Sequence, residues 1–172
     1  LAVQERARGV NAPAMPPGSG ASVAGAAGGG VLESADKGEG GCLCGAVRYR
    51  FGLPPLWVAH CHCTVCRRAQ GAGFVTWIGT DGERFELLGS AAALRTYQSS
   101  PAATRSFCGR CGTPLFFESS NWPGELHITL GSVDAGIAAR LQPQGHVHWA
   151  THVPWIGEIH DGLPRHEAAG SS

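Results

Sequence analysis

The residues best suited to chemistry lie in one short segment, residues 61–66 (CHCTVC), which holds three thiols. Thiolates this close together repel one another unless a soft cation binds them, and Zn²⁺ binds sulfur at about 2.3 Å in tetrahedral geometry. Three sulfurs leave the fourth ligand position open. Catalytic zinc sites have such an open position, because water or a substrate atom must reach the metal. The segment therefore predicts a catalytic zinc held by Cys61, Cys63 and Cys66.

The other four cysteines form two close pairs, Cys42-x-Cys44 and Cys108-x2-Cys111. A closed structural zinc takes four ligands, and two pairs from distant parts of the chain would staple a sheet together. The glycine after Cys111 lets backbone N–H groups turn towards the thiolates and spread their charge. We therefore predict two zinc ions per chain, with these four cysteines holding the structural one.

The chemistry of an open three-cysteine site follows from its charge. Three thiolates around a divalent zinc ion give a net charge of −1, which weakens Lewis acidity and makes water hard to ionise. A thiol is a better fourth ligand, because coordination removes its proton at neutral pH and leaves a reactive sulfur. The site is thus suited to activating a small thiol towards an electrophilic carbon, or to cleaving a carbon–sulfur bond.

Composition narrows the function and the location. The 172 residues suit one domain, and thirteen basic against thirteen acidic residues argue against a nucleic-acid partner. No run approaches the roughly 20 apolar residues of a membrane helix, and the N-terminus lacks the pattern of a secretory signal. Seven cysteines at metal-binding spacings are typical of a reducing compartment. We therefore expect a cytoplasmic protein with no membrane partner.

The local sequence patterns predict a mainly β fold. Residues 1–39 are rich in Gly, Ala, Ser and Pro and are predicted to be a disordered tail, followed by a domain at 40–166 and a disordered C-terminus at 167–172. Short apolar and alternating runs bounded by turn residues indicate strands, with small helical turns at 67–70 and 132–139. The predicted strands are 47–51, 56–59, 74–78, 84–88, 94–97, 104–107, 115–117, 126–130 and 146–149.

Four motifs occur, once each, between residues 40 and 166. They are Gly41-Cys42-x-Cys44-Gly45-x-Val47-x-Tyr49, Cys61-His62-Cys63-x2-Cys66-Arg67, Phe107-Cys108-x2-Cys111-Gly112-x-Pro114, and His146-x7-Pro154-Trp155 with Leu163-Pro164. The combined pattern resembles the family of glutathione-dependent formaldehyde-activating enzymes, which also contains centromere protein V.

The resemblance implies a fold, a metal content and an activity. The fold would be a twisted β-tent of short antiparallel strands. It also implies that the two cysteine sets hold a structural and a catalytic zinc, as assigned above. Glutathione would be the thiol and formaldehyde the electrophile, and a carbon–sulfur lyase of this kind would give S-hydroxymethylglutathione.

Two residues beside the triplet are candidate catalytic residues. His62 lies between two predicted ligands, and an unperturbed pKa near 6.5 would let it pass a proton between the substrate and solvent. The alternative is an outward-facing residue that supports the ligands. Arg67 follows Cys66 directly and could bind a carboxylate of a peptide-like thiol, or could simply lie on a solvated turn.

Two alternatives to a lyase remain open from the sequence. A histidine, either His60, His62 or one near the C-terminus, could be a fourth ligand of the triplet and close a second structural site. The chain would then be a non-catalytic, zinc-stapled β module that binds a protein partner. The triplet could also store zinc or sense oxidants, which predicts a labile metal and ready thiol oxidation without turnover.

Overall fold

The structure, a computed structural model, describes residues 36–158 and 160–168. The part of the predicted tail up to residue 35, and residues 169–172 of the predicted C-terminal segment, lie outside this description. The mainly β class predicted from the sequence is confirmed. The strands are β1 (Lys37–Gly41), β2 (Arg48–Gly52), β3 (Trp57–Cys61), β4 (Val75–Asp81), β5 (Phe85–Leu88), β6 (Leu94–Ser100), β7 (Ala103–Cys108), β8 (Pro114–Ser119), β9 (Glu125–Thr129) and β10 (His146–Val147).

Helical structure is confined to short segments. There are two α-helices, α1 (Thr64–Gln70) and α2 (Ala135–Ala138), in the part of the chain that the structure describes. The 3-10 turns are Gly82–Arg84, Ala91–Ala93, Leu130–Ser132, Trp149–Thr151 and Pro154–Glu158. None of the helices within residues 36–158 and 160–168 has the length and apolar character needed to cross a lipid bilayer.

The strands form two sheets. The smaller has the order β1-β2-β5, and the larger has the order β10-β3-β4-β9-β8-β7-β6. All pairs are antiparallel except β10 with β3. Tyr49 and Phe85 of the small sheet contact Phe116 of the large sheet, with ring centroids 5.0 and 4.9 Å from that of Phe116. The main core therefore lies between the two sheets.

The large sheet has a second apolar face that leads to the three-cysteine segment. Because neighbouring residues of a strand point to opposite faces, Ile78 joins the main core while Trp77 packs with Cys61 and Cys66 in a separate buried cluster. The Phe117 ring packs against this cluster, 5.9 Å from that of Trp77. The outer face of the large sheet thus positions the predicted catalytic site.

Each of the nine predicted strands overlaps an observed one, but β1 was not predicted. Its sequence, KGEGG, has no apolar alternation, and the prediction assigned order only from residue 40. The glycines are needed because aromatic rings cover β1: a Cβ on Gly38 would lie 2.5 Å from Cζ of Phe51, and one on Gly40 would overlap the Tyr49 hydroxyl. The tight turn between β1 and β2 contains Gly45, whose φ is 73°.

Two of the differences between predicted and observed bounds have a clear local cause. The helical turn at 67–70 begins earlier, at Thr64, because the Sγ of Cys63 accepts a hydrogen bond from the backbone N–H of Cys66 (3.2 Å) and caps α1. The last predicted strand ends at Val147 rather than 149, because His148 adopts a left-handed φ of 55° and a 3-10 turn begins at Trp149. Neither change moves a cysteine out of its cluster.

Gly79→Ala is expected to destabilise the fold by about 2 kcal/mol. A Cβ at this position of β4 would overlap the indole of Trp57, which lies across Gly79 from the neighbouring strand. Gly136→Ala is the matched control, because nothing lies within 4 Å of its Cβ and it sits in α2. Chemical denaturation should show the loss in the first variant only, and equal stability of the two variants would contradict this packing.

Candidate functional site

The first candidate metal centre joins the β1–β2 turn to the β7–β8 connection. The Sγ atoms of Cys42, Cys44, Cys108 and Cys111 all lie within 4.8 Å of one another. Cys42 and Cys44 are 3.6 Å apart at sulfur, and Cys44 and Cys108 are 3.8 Å apart. A tetrahedron with metal–sulfur distances of 2.3 Å has edges of about 3.8 Å. These four cysteines therefore fit a four-sulfur metal ion, in the grouping predicted from the sequence.

Backbone and hydroxyl groups around this centre stabilise thiolates. The N–H of Val47 donates to the Sγ of Cys42 at 3.3 Å, and the Oγ1 of Thr113 lies 3.1 Å from the Sγ of Cys111. Side-chain and backbone hydrogen bonds from Thr113 lower the pKa of Cys111 to about 5. A thiol that ionises this readily is suited to binding a metal ion at neutral pH.

The second candidate metal centre is the predicted triplet. Cys61 ends β3, Cys63 caps α1 and Cys66 lies in its first turn, and their Sγ atoms lie within 4.8 Å of one another. Cys61 and Cys66 are buried, whereas Cys63 is half-buried. The three cysteines can therefore hold one ion, with Cys63 on the more accessible side.

A histidine as fourth ligand finds no support in the described residues. The group defined by the 4.8 Å distances contains only the three cysteines. The Nδ1 of His60 lies 2.8 Å from the Oγ1 of Thr76. The Nε2 of His62 lies 2.8 Å from the Nδ1 of His146. His60 and His62 thus each have one ring nitrogen within hydrogen-bonding distance of a side chain other than the three cysteines.

An arginine that the sequence prediction missed contacts the triplet. The Nη2 of Arg105 donates to the Sγ of Cys66 at 3.6 Å, from strand β7. Hydrogen bonds from Cys61 and Cys63, followed by the charge of Arg105, hold the pKa of Cys66 well below its usual range. Hydrogen bonds with Cys63 and Cys66, followed by burial, raise the pKa of Cys61. Nothing in the sequence distinguishes Arg105 from the other eleven arginines, since the contact depends on sheet packing.

His62 occupies a different environment from either prediction. It is fully buried, so the outward-facing alternative is wrong. Its Nε2 meets His146, whose Nε2 lies 2.9 Å from the Oδ2 of Asp161, while its Nδ1 is buried without a hydrogen-bond partner in the described residues. Burial, followed by the nearby charges of His146 and His60, lowers the pKa of His62 to about 4. His62 is therefore neutral at pH 7, and the expected titration near 6.5 is not found.

This buried histidine makes folding stability depend on pH. Because its pKa is lower in the folded chain than in the unfolded chain, the unfolded chain binds more protons as pH falls from 6.5 towards 4. The wild type should lose about 1 kcal/mol between pH 7.5 and 5.5 from this group, a loss that His62→Gln should not show. Denaturation of both proteins at the two pH values tests this. A stability difference that stays constant with pH would contradict it.

Arg67 links α1 to the C-terminal segment. Its Nη1 donates to the backbone oxygen of Thr151, whose Oγ1 donates to the backbone oxygen of His62 at 3.2 Å. Its Nε is buried without a hydrogen-bond partner in the described residues. Arg67 is therefore not part of a purely solvated turn, and at least one of its donors already has a protein partner.

Comparisons with known proteins agree with the geometry. Residues 37–151 match the family model described as glutathione-dependent formaldehyde-activating enzyme. A Halomonas elongata protein described as a putative glutathione-dependent formaldehyde-activating enzyme is 31% identical over 117 residues, which cover 64% of this chain and 72% of that protein. A Schizosaccharomyces pombe protein described as an uncharacterized lyase is 31% identical over 83 residues, covering 48% of this chain and 58% of its own length.

A solved structure has the same fold. A Rhodobacter sphaeroides protein, known by crystal structure, aligns with a TM-score of 0.51 and 20% sequence identity. The alignment covers 74% of this chain and 98% of the other chain. At this identity the likeness bears on the fold alone.

Proposed function

Because the chain belongs to the family of glutathione-dependent formaldehyde-activating enzymes, we propose that it is a zinc-dependent carbon–sulfur lyase. The reaction would join glutathione and formaldehyde into S-hydroxymethylglutathione, or cleave such an adduct. The observation that carries the proposal is the triplet of Cys61, Cys63 and Cys66, whose group contains no fourth protein ligand among the described residues. A relative described as a lyase also supports enzyme activity.

The proposal gives the two cysteine sets different roles. The closed set of Cys42, Cys44, Cys108 and Cys111 would hold a structural Zn²⁺, since four sulfurs satisfy the ion completely. The triplet would hold a catalytic Zn²⁺, which supplies acidification of a thiol at neutral pH. Thiolate ligands and the sulfur spacing of the closed set both favour zinc over harder divalent ions.

The protein's own residues would then orient the two reactants. When the glutathione sulfur attacks formaldehyde, the carbon–sulfur bond forms, the carbonyl electron pair moves to oxygen, and that oxygen takes a proton. We propose that His62, although neutral at pH 7, relays this proton between its two ring nitrogens rather than storing it, because the hydrogen-bonded series from His62 through His146 reaches Asp161, which is partly exposed. We assign Arg67 to binding a carboxylate of glutathione near the triplet, since it follows Cys66 directly in the chain.

The proposal is tested by following ¹³C-formaldehyde and glutathione by NMR. The two react slowly without an enzyme, so the measured quantity is the exchange rate between free formaldehyde and the hydroxymethyl adduct. The protein loaded with zinc should raise this rate well above that of the uncatalysed reaction, through orientation and thiol ionisation. A rate equal to the background with every thiol tried would reject the lyase and leave the non-catalytic β module that binds a protein partner.

A further inference from the structure

The guanidinium of Arg105 is buried beside the triplet without a carboxylate. Its central carbon lies 4.8 Å from the centroid of the Phe117 ring, and its Nη2 donates to Cys66. Its Nε and Nη1 are buried and have no hydrogen-bond partner within residues 36–158 and 160–168. No ion pair between Arg105 and an acidic side chain occurs in the same residues. The sulfur cluster is therefore the nearest source of negative charge.

A buried guanidinium needs a counter-charge, because removing it from water is costly. The aromatic face of Phe117 offsets part of this cost through a cation–π contact. A cluster of ionised thiols offsets more, since it brings full negative charge to within hydrogen-bonding distance. Arginine is suited to such a site, because it stays protonated at every physiological pH.

We propose that Arg105 is a positioning residue that neutralises the three-cysteine centre so that an anionic thiol can bind there. This inference rests on the proposed function. Three thiolates around a divalent ion carry a net charge of −1, and an incoming thiolate would make it −2 in a half-buried site. The positive guanidinium beside Cys66 changes these two net charges to 0 and −1. Electrostatic repulsion of the substrate sulfur falls accordingly.

Arg105 would act on the thiolate sulfur of the substrate and not on its other groups. If it acts on the charge of the sulfur, every thiol that binds as a thiolate should depend on Arg105 equally. If it recognises a carboxylate, glutathione should depend on it and 2-mercaptoethanol should not. The two thiols therefore separate charge neutralisation from carboxylate recognition.

The test uses the full chain with Co²⁺ in both centres, and follows the sulfur-to-cobalt charge-transfer band during titration with each thiol. Arg105→Gln should weaken the binding of both thiols by the same factor, about tenfold to a hundredfold. Arg105→Lys keeps the charge and should recover part of the affinity. Arg95→Gln is the matched control, because Arg95 is exposed on the neighbouring strand and its Nη1 donates to the backbone oxygens of Ala92 and Leu94.

The titrations with the two thiols distinguish charge neutralisation by Arg105 from carboxylate recognition. Weakening of glutathione alone, or unchanged binding of both thiols by Arg105→Gln, would overturn the inference. If the Gln variant does not fold, Arg105→Lys and Arg105→Met form the comparison, and the Lys variant must bind both thiols more tightly than the Met variant. A wild-type protein that holds two Co²⁺ ions but responds to no thiol would reject the proposed function instead.

Discussion

Cys63→Ser should reduce the metal content from two ions to one per chain and lower turnover by about a thousandfold. Three cysteines and no other side chain form this group among the described residues, so the loss of one sulfur should leave a site too weak to retain its ion. Serine should preserve the fold, because its hydroxyl can replace the sulfur as the cap that accepts the N–H of Cys66. Metal analysis after gel filtration and the NMR exchange assay measure the two effects.

Thr64→Ala is the control for this variant. Thr64 is the exposed first residue of α1 and lies next to Cys63 without belonging to either cysteine group. It should retain both ions and full turnover. Cys63→Ser with two ions and wild-type turnover would contradict the assignment of the triplet as the catalytic centre.

Cys108→Ser should have the largest effect on folding. Cys108 is fully buried at the end of β7, in the group that joins the small sheet to the large one. Losing the structural ion should cost about 5 kcal/mol or more, which is comparable to the whole stability of a domain. The variant should either fail to fold or unfold at least about 15 °C below the wild type.

Leu43→Ala is the matched control in the same centre. Leu43 lies between two of the cysteines, but its side chain is 89% exposed. Thermal unfolding followed by circular dichroism should give a wild-type midpoint for this variant. A wild-type midpoint for Cys108→Ser, with one ion lost, would show that the four-cysteine centre does not staple the sheets.

The sequence predicts those features that depend on local spacing. Cysteine spacing separated the two clusters correctly, because cysteines that are close in sequence lie close in space. The spacing of the pair Cys108-x2-Cys111 is also typical of metal binding. Alternation such as Val47, Tyr49 and Phe51 predicted a strand, because these three side chains are buried in the main core while Arg48 and Arg50 are not. Strand β1 was not predicted because its glycines are required by aromatic rings that pack over them. Such a contact between strands leaves no signal in the local sequence.

The missed residues of the candidate site depend on tertiary contacts. Arg105 contacts Cys66, which is 39 residues away in the sequence, and Asp161 contacts His146, which is 15 residues away. His62 was predicted to titrate near neutrality because its type suggests it, whereas burial among other histidines lowers its pKa. Residue type and spacing thus located the candidate metal ligands, but not the charged residues that set the electrostatics around them.

An open three-cysteine centre is tested most directly by titrating wild-type protein with glutathione after both metals have been replaced by Co²⁺. We expect two ions per chain and a thiolate-to-cobalt charge-transfer band that grows with glutathione until one equivalent is bound. This result would mean that the three-cysteine centre accepts an external thiol. Two bound ions with a spectrum that no thiol changes would contradict the account, because both centres would then be closed.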